Sequence, residues 1–128
     1  MQATQMNAYK KNQMDTLSGR ELEAAILTKA AMVLKECQEN WDAPDRDVKL
    51  DEALKYNQLI WSLFQGELAQ PENPLPKKLR EDILSLSAFI DKRILEVMAF
   101  PSPDKLTFII KLNLNLAAGL RGSPQDEE

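Results

Sequence analysis

Three prolines within Pro71–Pro76 of this 128-residue chain set a hard limit on helix continuity. Proline lacks an amide proton, clashes with the preceding turn and steers its predecessor away from helical dihedrals, so a helix arriving from Tyr56 must end before Pro71. Pro76 suits the first turn of a new helix, where a missing amide has no intrahelical partner to lose. Ahead of the break, Asn57, Ile60, Trp61, Phe64 and Leu68 are spaced three, one, three and four apart, which lines them along one face of a 3.6-period helix. The stretch from Tyr56 to Asp82 is therefore expected to be an elbow joining two antiparallel helices.

The rest of the chain reads as helices laid against that elbow. Ser18 followed by Glu21 makes a capping box, in which hydroxyl and carboxylate satisfy orphan amides reciprocally. Leu22, Ile26, Ala30, Val33, Cys37 and Trp41 then repeat at helical steps, and Leu27, Ala31 and Leu34 widen the stripe enough for two neighbours. The turn cluster DAPDRD at 42–47 ends this helix, with Asp45 or Asp47 to cap a second one running to about Leu68. Leu50, Leu54, Leu59 and Leu63 lie outside the main row or at its edges, which predicts a central helix buried on more than one side. Leu79, Ile83, Leu86, Ile90, Ile94 and Val97 predict a third helix from about Pro76 to Ala99. Pro101, Ser102 and Pro103 end it and start a fourth, which presents Leu106, Ile109, Ile110, Asn113, Ala117 and Leu120. The strict alternation of Lys111–Leu116 also fits a strand. The Ser-Pro start, the flanking 3.6 period and a stop at Gly119 favour the helix.

The expected fold is all-α: a small four-helix bundle-like domain of antiparallel helices with proline-marked elbows, covering 17–121. Residues 1–16 have no apolar face and predict a mobile leader with Tyr9 as its one large anchor, and 122–128 read as an acidic disordered tail.

Charge and chemistry exclude several classes of function. The net charge of −4 gives no global positive field for a phosphate backbone, so direct nucleic-acid binding is not expected. Basic groups at Lys10/Lys11, Lys77/Lys78/Arg80 and Lys92/Arg93 stand beside acids or on solvated faces. With no histidine and one cysteine, imidazole acid/base chemistry and the common zinc sites are ruled out, and four scattered glycines build no phosphate loop. Carboxylate neighbours such as Glu21/Glu23 and Glu81/Asp82 belong to helix starts and solvated faces. We therefore expect no enzyme, and no catalytic, cofactor-binding or metal-binding residues. Cys37, at helical spacing from Val33 and Trp41, reads as a small buried hydrophobe in a reducing compartment. No apolar run reaches the ~18 residues of a membrane span, and MQATQMNAYKKNQMD lacks the apolar core of a signal peptide, which predicts a cytoplasmic protein without membrane contact.

The opening stretch also carries a family resemblance. YNQLIWSLF at 56–64, Glu67-Leu68 and PENPLPKKLREDILSL at 71–86 resemble the FlaF family of bacterial flagellar biosynthesis regulators. Tyr9, Arg20-Glu21-Leu22-Glu23-Ala24, Ile110-Lys111-Leu112-Asn113 and Gly119-Leu120 extend the likeness over roughly residues 8–122. Asn115 and Ala117-Ala118 depart from it, since basic or bulkier residues are more typical there. The resemblance implies a small cytoplasmic protein of alphaproteobacteria that acts on flagellin. One implied role is that of a secretion chaperone shielding flagellin's amphipathic terminal helices in an apolar groove. The other is post-transcriptional regulation of flagellin synthesis, acting with a FlbT-like partner on flagellin mRNA translation. Candidate partner-binding residues are Asn57, Ile60, Trp61, Phe64, Ile110, Asn113 and Leu114, in a monomer or a homodimer. Trp61 and Phe64 read first as core residues, and Asn57 is either a buried register device, pairing with the similarly placed Asn113, or a contact to a partner's backbone.

Overall fold

A computed structural model describes residues 19–126, the side chains of 19–122 among them. It contains four α-helices and one short 3-10 turn, with no strand among the described residues: α1 Gly19–Glu39, α2 Arg46–Leu68, α3 Lys77–Ala99, the 3-10 turn Pro103–Lys105, and α4 Leu106–Asp126. The expected all-α bundle is what forms. Ser18 of the expected capping box, the whole of the leader 1–16, and residues 127–128 lie outside the described residues.

α1 and α4 make the most extensive pairing. Fully or almost fully buried Ala24 and Ala31 on α1 and Ala117 on α4 let the two backbones approach. Gln38 Nε2 donates to the Pro103 carbonyl at 2.9 Å and to Thr107 Oγ1 at 3.0 Å, while Arg121 Nη1 donates to Thr28 Oγ1 at 3.2 Å. Residue 38 thus stands beside 103–107 and residue 28 beside 121, so the two helices run antiparallel. α2 lies antiparallel to α1, with Asn57 Nδ2 donating to the Ala30 carbonyl at 3.1 Å. α3 returns along α2 and touches α4 only sparsely.

The elbow is held by side chains that add hydrogen bonds to the carbonyls at and just beyond the end of α2. Asn73 Nδ2 donates to the Glu67 carbonyl at 3.1 Å, and Arg80 Nη1 donates to those of Leu68 and Gln70 at 3.4 and 3.0 Å. Asn73 Oδ1 accepts the Leu75 amide at 3.0 Å, a local turn that sets the exit direction. Pro76 sits one position earlier than expected, as the N-cap with extended ψ of 143°, and α3 begins at Lys77.

Four further expectations change. Asp45 occupies the N-cap of α2 but makes no side-chain capping bond. α2 touches all of its neighbours yet is not buried on every side: Leu50 and Leu54 are inside, whereas Leu59 and Leu63 are 55% and 57% exposed. On α3, Leu79 is exposed and Leu86 half-buried, so the core row is Ile83, Ser87, Ile90, Ile94 and Val97. At the other end, Gly119 does not stop α4. A glycine stop requires a left-handed φ, no described glycine has one, and the helix continues into the expected tail as far as Asp126.

Candidate functional site

The residues singled out in the sequence come together, but inside the protein. Asn57, Trp61 and Asn113 are fully buried, Ile60, Phe64 and Ile110 nearly so, and Leu114 is half-buried against the core. Asn113 Nδ2 donates to Asn57 Oδ1 at 2.7 Å, and Trp61 Nε1 donates to Asn113 Oδ1 at 2.9 Å. Asn57 Nδ2 in turn reaches the carbonyls of Ala30 and Ala53 at 3.1 and 2.9 Å. Three helices are thereby tied by one buried polar chain with every group partnered, which rewards a single register and penalises slippage. Trp61 and Phe64 pack edge to face with ring centroids 6.1 Å apart. Of the two readings open for Asn57, the geometry matches the register device, and its pairing with Asn113 is observed. These residues form the frame that carries a surface.

Two surfaces stand on that frame. The first is the valley between α3 and α4. Leu86, Phe89 and Arg93 share one flank of α3 at steps of three and four, and Phe108, Leu112 and Leu116 share one flank of α4 at steps of four. The Arg93 guanidinium lies 5.4 Å from the centre of the Phe108 ring and Arg93 Nη1 donates to the Lys105 carbonyl at 3.4 Å, which sets the Arg93 end of the first row beside the Phe108 end of the second. Because α3 and α4 barely touch, the rows stay unpacked: Phe89 is 62% exposed and Phe108 38%, with Leu86, Leu112 and Leu116 half-buried. Where the valley meets the elbow, Leu116 and Ile83 close a small crevice with Leu68 and Leu75, roofed by Glu23. Burial, a hydrogen bond to Glu67 and the charge of Glu67 push the Glu23 carboxyl up to about 7, against a smaller opposing effect of Arg20.

The second surface is a cleft between α1 and α2, lined by both apolar and charged side chains. Cys37 lies on its floor, buried as expected, its thiol pushed up by burial first and by neighbouring Glu36 next. No cluster of three or more histidine, cysteine or acidic residues suited to a metal ion occurs among the described residues. No helix among them is long and apolar enough to cross a membrane.

Sequence reasoning missed Phe89 and Phe108. The signal was present as a second row on α3, Leu86-Phe89-Arg93, lying beside the core row at helical spacing. What the spacing does not reveal is that α4 stands too far off to cover it.

No curated protein and no solved structure matches the chain. The family model described as flagellar protein FlaF matches residues 5–120, nearly the whole length, and the chain belongs to the FlaF family.

Proposed function

We propose that this flagellar protein binds flagellin as a secretion chaperone, receiving an amphipathic terminal helix of flagellin in the α3–α4 valley. The observation that carries the reading is that Phe89 on α3 and Phe108 on α4 are both exposed, on two helices that touch only sparsely. An amphipathic helix laid between such rows buries its apolar face at steps of three and four, the common helix-in-groove mode of recognition. Covering the more exposed Phe89 contributes on the order of 1–2 kcal/mol and covering Phe108 less, and Arg93 at the rim offers a charge to an acidic group on the incoming helix.

The test is gel filtration of the purified protein with monomeric flagellin, repeated with flagellin truncated at either end. Co-elution that is lost with one terminus and lost again with Phe89→Asp supports the reading. A full-length flagellin that never co-elutes with the unaltered protein sinks it.

A further inference from the structure

The α1–α2 cleft, which encloses about 610 Å³, belongs to a longer face of that hairpin. Leu22, Ile26, Lys29, Val33 and Glu36 follow one another on α1 at steps of four, three, four and three, and Lys49, Glu52, Tyr56, Leu59 and Leu63 follow on α2 at steps of three, four, three and four. Such spacing is that of a seam along which one helix packs on another. Leu22, Leu59 and Leu63 are 36%, 55% and 57% exposed, and Ile26, Val33 and Tyr56 are half-buried. Neither α3 nor α4 lends a side chain to the lining of the cleft between the two rows.

The geometry points to a second copy of this chain as the occupant of that face: two α1–α2 hairpins stacked about a twofold axis parallel to the helices, with α1 of each copy on α2 of the other. Register supports it. The bond from Asn57 to the Ala30 carbonyl sets those two residues level in an antiparallel pair. Leu63 is then level with Ala24, Leu59 with Thr28, Tyr56 with Ala31 and Glu52 with Lys35, because both helices rise equally per residue. A closed twofold axis along the helices permits no slide along them, so the second copy keeps these levels. Each member of its α2 row then falls between two consecutive members of the α1 row, Leu63 between Leu22 and Ile26, Leu59 between Ile26 and Lys29, Tyr56 between Lys29 and Val33. That is the interleaving of knobs into holes, with apolar end on apolar end.

Charge and area agree. The cleft sets Lys29, Arg46 and Lys49 against Glu36, Asp45 and Glu52, a balance that selects neither a basic nor an acidic partner and that a copy of the same face matches. α1 has 21 residues, about 31 Å of length, and two helices side by side are about 20 Å wide. Stacking therefore buries on the order of 600 Å² per copy and about 1,200 Å² in all, the lower end of stable interfaces. The α3–α4 valley stays open in each copy, whether or not it receives flagellin.

Sedimentation equilibrium of the full chain from about 1 to 100 µM tests the dimer. The mass should rise from 14.5 kDa to twice that value. The double change Leu59→Glu/Leu63→Glu, at two exposed positions, should weaken association at least tenfold and leave thermal unfolding within a few degrees of the parent. A monomer mass throughout overturns the proposal, as does a dimer that survives both glutamates. Cys37, on the cleft floor, reads the same event without a substitution: its labelling by a thiol reagent should slow about threefold or more as concentration rises through the dimer range, since the second copy covers the way in. A rate independent of concentration overturns the proposal. The axis is tested on a Cys37→Ser background, where chains carrying Leu22→Cys mixed with chains carrying Leu63→Cys should form a mixed disulfide that neither forms alone. Disulfides between like chains instead would set the axis across the helices and overturn the stacking.

Discussion

The side-chain amide of Asn113 on α4 donates to the Asn57 carbonyl oxygen on α2 at 2.7 Å, with both residues at 0% exposure. Removing one member leaves the other's polar atoms buried without partners, which costs more than the bond itself. Asn113→Leu strands both Asn57 Oδ1 and the Trp61 indole N–H, and should lower unfolding free energy by roughly 2–4 kcal/mol in urea titrations. The double variant Asn57→Leu/Asn113→Leu should lose clearly less than the two single losses added together, because neither stranded amide remains. Strict additivity would show that the two amides are not coupled.

That pair also marks how far the fold was legible. Asn57 and Asn113 each interrupt an apolar row at helical spacing, so their burial and their pairing were readable from periodicity. The elbow was readable for a different reason, since proline acts on the backbone locally and needs no knowledge of neighbours. The exposure of Leu59, Leu63 and Phe89 was not readable. Each occupies a second apolar row, and whether such a row is covered depends on where another helix lies, a property of tertiary geometry absent from local spacing. Gly119 failed as a stop for a related reason: glycine permits the left-handed turn without requiring it.

Phe89 offers a separation of binding from stability. Its ring is mostly in water already, so Phe89→Asp should leave thermal unfolding within a few degrees of the parent, as surface substitutions generally do. If the valley is the flagellin site, the same change should weaken co-elution with flagellin about tenfold or more through loss of one buried aromatic anchor. Trp61→Ala should do the reverse, lowering stability by about 3–5 kcal/mol because it empties a fully buried site. Calorimetry on the two variants, each alone and with flagellin, distinguishes the roles.

Glu23 predicts a pH dependence with a definite sign. Its carboxyl is pushed from 4.5 up to about 7 by burial and by Glu67, so between those values the folded state holds a proton that the unfolded state has released. Stability must therefore fall as pH rises from about 4.5 to about 7 and level off above, where Glu23 is ionised in both states. After discounting for its partial contact with solvent, the loss is on the order of 1–2 kcal/mol. Glu23→Gln fixes the neutral form and should flatten that part of the profile in urea unfolding measured from pH 5 to 8. A profile as steep as the parent's would place the titration elsewhere.

Asn73 tests whether the elbow depends on donors or on mere polarity. Its amide nitrogen serves the Glu67 carbonyl at the end of α2 and its oxygen accepts the Leu75 amide. Asn73→Ala removes both bonds and should cost about 1–2 kcal/mol. Asn73→Asp keeps an acceptor for Leu75, but replaces the donor with a negative charge facing the carbonyl end of a helix, where the macrodipole already concentrates negative potential. If the donor matters more, Asp should destabilise at least as much as Ala, despite being the closer match in shape. Arg80 reaches the carbonyls of Leu68 and Gln70, so Arg80→Met should add to the Asn73→Ala loss, because the two side chains hold different carbonyls around the end of α2. Thermal unfolding of the four variants settles the order: Asp milder than Ala would show that the turn at Leu75, and not the capping of α2, holds the two helices at their angle.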